Sequence, residues 1–417
     1  MDYPKTQRQA AFIALADSLA ERFAARAEEV DRAGRLSIEH FREMHEAGFL
    51  SLTIPERFGG RGADPLEYAL AIERIGRACG STALAANMHL SLIGKLGETG
   101  IWPEALYARV SRDIVANGAL INSANSEPEM GSPSRGGLPT TTAERTASGW
   151  VINGRKRWAS LAPALTSMLV LATVVDGDAP PRRGNFLVPA AAPGVQVEQT
   201  WDNLGMRGTA SDDVVFTKVE VPRDALVRVD GSGVPGDGNG WSAFGGGAVF
   251  LGIAQAARDE AVRYARTRRP NGLAGPIAEL QTIQHRIARI ELDLLQARTL
   301  LYATAEWWIA HPEAREERAW RLAAAKHTVT TAAIRVTDEA LRVAGSAGMA
   351  ATSPLQRYFR DARASIGQPP IEDVALTVIG KAALGLGPAP PDGAGRAGRV
   401  APAASLSAVT SGAPSRN

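Results

Sequence analysis

SEPEMGS at residues 126–132, NGRKRW at residues 153–158 and RDAR at residues 360–363 are the three stretches on which the reading of this chain turns. The first belongs to a polar run, NSANSEPEMGS (122–132), of short side chains kinked by Pro128. Such Asn and Ser chemistry fits the exit of a strand into a loop. The same hydroxyls, amides and backbone N–H groups also suit the rim of a site for a planar, hydrogen-bonding ring. In the second stretch Asn153-Gly154 separates two β-rich runs and predicts a two-residue hairpin turn, because both residues tolerate positive φ. Trp158 at the end of that hairpin belongs either in a core or stacked on a ring face.

Working outward, β-rich runs recur at 138–143, 150–152, 156–159, 168–175, 185–188 and 213–219. No long helix separates them, which predicts an antiparallel sheet or barrel. Ahead of them, Phe12, Leu15, Leu19, Phe23 and Val30 share one helical face. Ser37 is placed to N-cap a second helix that Gly48 ends in a left-handed turn. PERFGGRG (55–62) interrupts the pattern, and helical spacing resumes at 66–78 and 82–96. Beyond Gly240, Ile287, Ile290, Leu294, Ala297, Leu301, Ala305 and Trp308 stay in phase along one long helix. Another is expected from about Glu313 to Val343, and a last one from Pro370, a good first-turn residue, to about Leu386. Long helices with apolar stripes pack as antiparallel bundles. The expected layout is a helical domain over 1–118, a β-barrel domain over 119–230, a helical bundle over 231–387 and a disordered tail over 388–417, where Pro, Ala, Gly and Ser dominate.

Composition removes several classes of function. Forty-six basic residues against 44 acidic ones leave no charge excess to grip a phosphate backbone, so no nucleic-acid partner is expected. The lone Cys79 excludes an intrachain disulfide and a Cys-based zinc site, and the six histidines show no metal-ligand spacing; no metal is expected. The N-terminus has no apolar signal core and no run approaches a membrane span, so the expected location is cytoplasmic. A literal G-x-G-x-x-G at 231–236 contains Pro235 and is followed by DGNG, which delays any helix; it reads as a connector rather than a phosphate loop. No G-x-S-x-G nucleophile elbow is present.

Taken in order, these segments resemble the acyl-CoA dehydrogenase superfamily. SEPEMGS is similar to the family's Ser/Thr-Glu-Pro segment followed by Gly-Ser, and NGRKRW to its Asn-Gly hairpin ending in Lys-x-Trp. PERFGGRG resembles P-E-x-x-G-G-x-G, NLGMRGT (203–209) resembles K-L-G-x-R-G-S, and the run over 252–268 resembles the helix ending in Tyr-x-x-x-Arg. Glu279-Leu280-Gln281, Gly345-Ser346-Ala347-Gly348 and RDAR resemble the family's E-x-Q, G-G-x-G and R-D-x-R, so the match spans residues 10–386. The resemblance implies FAD, an N-terminal helical domain, a middle β-barrel, a C-terminal four-helix bundle, and a homotetramer or dimer. By position it implies that Asn125 and Ser126 hydrogen-bond the flavin ring and that Trp158 and Ser160 line its other side. Arg268, Gln281 and the Gly345 loop would reach the ADP part of FAD, largely from a neighbouring subunit, and Ser132 would lie near the pantetheine arm of an acyl thioester. Asn271, where the family has Phe after its Arg, and Ser346 in place of the second Gly depart from the pattern.

The departure that matters is catalytic. The family's Glu base stands nine residues after the Arg that opens R-D-x-R, and counting from Arg360 gives Pro369. The match stays gapless to Lys381, where the family has Arg. An alternative base position falls at about Ser242. Neither side chain is a competent base. Glu372 and Asp373 lie one turn further on, where acids also suit the first turn of a helix; Glu372 is the nearest candidate base. Two functions follow: an FAD-dependent dehydrogenase of an acyl thioester, on CoA or carrier protein, passing electrons to an electron-transfer flavoprotein or oxygen; or a flavin monooxygenase of the same fold acting on an aromatic or amine substrate. The monooxygenase branch has a C-terminal histidine that residues 364–386 lack.

Overall fold

The computed structural model describes residues 3–129, 137–229 and 240–386. Ser132, the glycine-rich run at 231–236 and the tail expected to be disordered from Pro388 lie outside the described residues.

Five helices open the chain: α1 (Gln7–Ala33), α2 (Ile38–Glu46), α3 (Pro65–Ala78), α4 (Gly80–Thr99) and α5 (Glu104–Asn117). Thr6 caps α1 by accepting from the Gln9 N–H, and Gly34 ends it in the left-handed region. Phe12, Leu19, Phe23 and Val30 are buried along its inner face. Ser37 caps α2 as expected, and Gly48 takes φ +71° just past its end. A capping box between Asp64 and Glu67 starts α3, which is buried over most of its length because it runs between α1 and the later helix α6 (Gly240–Thr267). Small residues permit that approach. A Cβ on Gly252 would sit 2.3 Å from the Glu73 carbonyl oxygen, and one on Gly76 would sit 2.7 Å from that of Val249.

The middle of the chain forms one eight-stranded sheet. Its strands are β1 (Ile121–Ala124), β2 (Thr142–Arg145), β3 (Gly149–Ala159), β4 (Ser167–Val175), β5 (Arg182–Pro189), β6 (Val195–Glu198), β7 (Asp212–Pro222) and β8 (Leu226–Val229). The order is β6-β7-β3-β2-β4-β5-β8, with β1 also on β4. Most pairs are antiparallel, but β1 and β2 both run parallel to β4.

The hairpin expected at Asn153-Gly154 is not there. β3 is a single strand running straight through both residues. Gly154 takes φ +147°, the register against β7 slips between Ile152 and Gly154, and the Asn153 carboxamide oxygen accepts from the Lys218 N–H at 2.8 Å. Tolerance of positive φ serves a bulge as well as a turn, and the sequence signal is the same for both. A Cβ on Gly154 would lie 2.6 Å from the Cα of Thr141, so close packing demands glycine there. The real hairpin joins β2 to β3, where the Thr146 N–H donates to the Gly149 carbonyl at 2.9 Å.

The C-terminal part adds α7 (Gln281–Ala310), α8 (Trp320–Ala344), α9 (Pro354–Arg363) and α10 (Glu372–Ala383) to α6. The stripe read on α7 is buried from Ile290 to Trp308, with Ile287 partly buried at its start. Two boundaries move. α8 starts at Trp320 rather than Glu313, because the polar stretch before it forms a turn at Pro312–Ala314 and Arg315 donates back to the Trp308 carbonyl at 2.8 Å. α10 starts at Glu372, with extended Ile371 at its N-cap and Pro370 ahead of the helix, and it ends at Ala383.

Candidate active site

A cleft of about 860 Å³ opens where α4, the sheet, the first turn of α6 and the segment between α9 and α10 meet. Helical periodicity builds its first wall. Met88, Ser91, Leu92, Lys95 and Leu96 recur at three- and four-residue intervals on α4 and so share one face. Ile101 and Trp102 extend that wall.

The opposite rim comes from the ends of β1 and β3. Asn122 and Ser123 within β1, and Asn125 and Ser126 just beyond it, line the cleft. The Asn122 carboxamide donates to the Ser160 carbonyl at 3.0 Å, tying that exit to the end of β3. Trp158 sits at φ +61°, a rare conformation for a bulky residue that places it apart from the alternation of the strand. Its side chain is 56% exposed and faces the cleft, so it is not a core residue. Ser160, also on the wall, joins a hydroxyl chain with Ser211 and Thr209, each link 2.8 Å.

A buried ion pair holds this rim. Glu127 and Lys156, the first acid of SEPEMGS and the Lys of NGRKRW, meet at 2.6 Å with neither side chain exposed. Glu127 also accepts from the Thr140 N–H at 2.6 Å, the Thr140 hydroxyl at 2.8 Å and the Thr141 N–H at 3.0 Å. Burial pushes its carboxyl up, but the hydrogen bonds from Lys156 and Thr141 and the Lys156 charge outweigh it and hold the group down at about 2. Burial lowers the Lys156 ammonium despite its partner. The two shifts oppose each other in sign of stabilisation, and four donors on one carboxylate decide for the ionised pair. The Arg157 N–H donates to the Ser126 carbonyl at 2.9 Å, completing the clamp. The sequence signal for this pair was the co-occurrence of Glu-Pro and Lys-x-Trp, but no role for either charge was read from it.

Asn125 carries the clearest mark of a ligand. Its side-chain oxygen is buried and has no hydrogen-bond partner among the described residues. An unmet buried acceptor on a cleft wall is costly, and a donor on a planar ring would satisfy it. With Ser126, Ser160 and the exposed Trp158 face beside it, the residues present fit a flavin ring.

The third wall is Ser242, Gln368 and Pro369. Lys326 fixes the last two: its buried ammonium donates to the carbonyls of Ser365 (3.4 Å), Gln368 (2.7 Å) and Pro370 (3.0 Å), and burial lowers it to about 8. RDAR serves the scaffold. Arg360 pairs with Asp31 of α1, and Asp361 accepts from the Met206 N–H at 2.6 Å, its carboxyl pushed up by burial to about 6.

The expected site residues therefore divide. Asn125, Ser126, Trp158 and Ser160 come together in the cleft, and both counted base positions, Pro369 and Ser242, lie on its wall. Arg268, Gln281 and Gly345 are exposed and not part of it. Glu372 is exposed in the first turn of α10, also off the wall. No Asp, Glu or His lines the cleft among the described residues. Among those residues no cluster of metal ligands occurs, and no helix is long and apolar enough to cross a membrane.

Comparison with known proteins agrees with this geometry. The chain matches the N-terminal domain of acyl-CoA dehydrogenase over residues 6–100, its middle domain over 122–219 and its C-terminal domain over 244–366. It is 39% identical over 358 residues to the Bacillus subtilis (strain 168) protein named "Putative acyl-CoA dehydrogenase YdbM", covering 86% of this chain and 92% of that one. Butyryl-CoA dehydrogenase from Megasphaera elsdenii superposes with a TM-score of 0.80 at 26% identity, over 92% of this chain and 100% of that one. KijD3 in complex with FMN and a dTDP-linked 3-amino-4-keto sugar superposes with a TM-score of 0.81 at 28% identity, over 92% and 95%.

Proposed function

Since the chain belongs to the acyl-CoA dehydrogenase family and is a flavoenzyme of that type, we propose that it binds FAD in the large cleft and there dehydrogenates an acyl thioester between its α- and β-carbons. The observation that carries this reading is the two-sided cleft. An apolar stripe of α4 (Met88, Leu92, Leu96) suits an acyl chain, and it faces a rim of Asn125, Ser126, Trp158 and Ser160 that suits a flavin. Bound flavin supplies a two-electron acceptor. The Asn125 oxygen and the two serines orient the ring through hydrogen bonds, while Trp158 covers a face and helps exclude water. The Glu127–Lys156 clamp keeps that rim in place.

Dehydrogenation also requires a base at the α-carbon. We assign it to Glu372, which reaches the cleft when the first turn of α10 tilts inward. Lys326 anchors the chain as far as Pro370, so the pivot falls at Ile371. Exposed Arg268, Gln281 and Gly345 then serve the ADP half of a neighbouring subunit's FAD in a homo-oligomer, and an electron-transfer flavoprotein or oxygen takes the electrons.

One observation favours a second reading. With no carboxylate or imidazole on the described wall, a monooxygenase on an amine or aromatic substrate fits without moving α10, and the amino-sugar complex of KijD3 points the same way. Product analysis separates the two. Incubation with short-chain acyl-CoAs and an artificial electron acceptor is expected to give 2-enoyl-CoA. An oxygenated amine or aromatic product, formed only with reduced flavin and oxygen, replaces the first reading with the second.

A further inference from the structure

A second cleft, of about 680 Å³, lies between the C-terminal half of α1, the loop at 203–207 and the start of α9. It shares no lining residue with the active-site cleft, and Arg268, Gln281 and Gly345 are not on its wall. Four arginines (Arg32, Arg207, Arg357 and Arg360) face two carboxylates, Glu28 and Asp31. Both carboxylates are engaged, Asp31 by Arg360 at 2.5 Å and Glu28 by Arg32 at 2.5 Å. Arg207 directs its donors to the carbonyls of Asp31 and Asn203 and to exposed Asp202. Arg357 differs from the other three. It is only 9% exposed, its guanidinium lies by the Tyr358 ring and is a hydrogen-bond partner of that residue, and the buried Asp361 carboxylate acts on it from beyond ion-pair distance.

We propose that this cleft binds a phosphate-bearing small molecule of nucleotide size. Four guanidiniums on the wall against the carboxylates of Glu28 and Asp31 leave it positively charged, and an anion entering the cleft gives Arg357 a partner at ion-pair distance. The forked donors of arginine match phosphate oxygens. Thr352 and Ser353 bring hydroxyls to the same wall, and the volume is that of an ordinary small-ligand pocket. Diphosphate is the chemistry recognised, whether it arrives as a free nucleotide or as part of a larger cofactor.

The test is calorimetric titration of the FAD-saturated protein with pyrophosphate, ADP and adenosine. Saturation with FAD keeps the probes off the flavin site, and the result does not depend on what the flavin oxidises. Pyrophosphate and ADP are expected to bind, more weakly as salt is raised, and adenosine is not. Arg357→Gln should weaken both by about tenfold or more, whereas Arg112→Gln, on an exposed position of α5, should leave them unchanged. Arg357→Lys keeps the charge and should retain intermediate affinity, which separates loss of the site from loss of the fold. The proposal is overturned if wild-type protein takes up neither pyrophosphate nor ADP, if adenosine binds as well as ADP, or if the Arg357→Gln and Arg112→Gln proteins bind alike.

Discussion

Replacing Glu127 by Gln tests how the flavin rim is held. The substitution keeps shape but removes the charge that faces Lys156 at 2.6 Å, with both side chains out of solvent. Leaving one member of a buried pair uncompensated costs about 3–5 kcal/mol. Lys156→Met should cost less, because the carboxylate it abandons still accepts from Thr140 and Thr141. The double variant removes both charges and should recover part of the loss, giving a coupling of about 1–3 kcal/mol between the two sites. The pH dependence follows from the lowered carboxyl. A group whose folded value lies below its unfolded one stabilises above the unfolded value and loses that stability as pH falls through the folded one. Wild type should therefore weaken between about 4.5 and about 2, and Glu127→Gln should flatten that limb. Urea denaturation followed by tryptophan fluorescence at several pH values, with FAD affinity measured in parallel, supplies the data. Strict additivity of the two single losses, or an acid limb unchanged in Glu127→Gln, would refute the reasoning.

Two other substitutions probe separate parts of the account. Trp158→Ala should weaken FAD binding by roughly fivefold, the loss of one aromatic contact, with little change in stability because the ring is exposed; a stability loss with unchanged FAD affinity would make Trp158 a packing residue. Gly154→Ala should destabilise by about 1–3 kcal/mol, since it adds a side chain at positive φ against Thr141. A neutral result by thermal denaturation would mean that β3 has room at its bulge.

Local signals carried the helices and strands well where one element was its own context. The α1 face, the Ser37 cap and the stripe of α7 depend on spacing within a single segment, and each stands in the structure. Asn153-Gly154 was misread because backbone tolerance says that φ is positive and not whether the chain turns back; the pairing of β3 with β2 and β7 across the sheet decides that. The boundaries of α8 and α10 moved for a similar reason, through contacts such as Arg315 on the Trp308 carbonyl. Within the site, Asn125, Ser126, Trp158 and Ser160 could be named because they sit in short motifs. Glu127, Lys156 and Lys326 could not, because their partners are distant in sequence and only folding brings those donors and acceptors together. Glu372 was named from its nearness in sequence to Pro369; it stands exposed in the first turn of α10, so the sequence could not say that its part as base depends on a tilt of that turn.

The most direct test of the central claim is anaerobic mixing of the FAD-loaded protein with a panel of acyl-CoAs, for wild type and for Glu372→Gln, following the oxidised flavin band. Bleaching by at least one acyl-CoA is expected in wild type, slowed roughly 100-fold or more in the variant, the scale for loss of a general base. A wild-type flavin that stays oxidised with every acyl thioester, or one that bleaches equally fast in the Glu372→Gln protein, would contradict it.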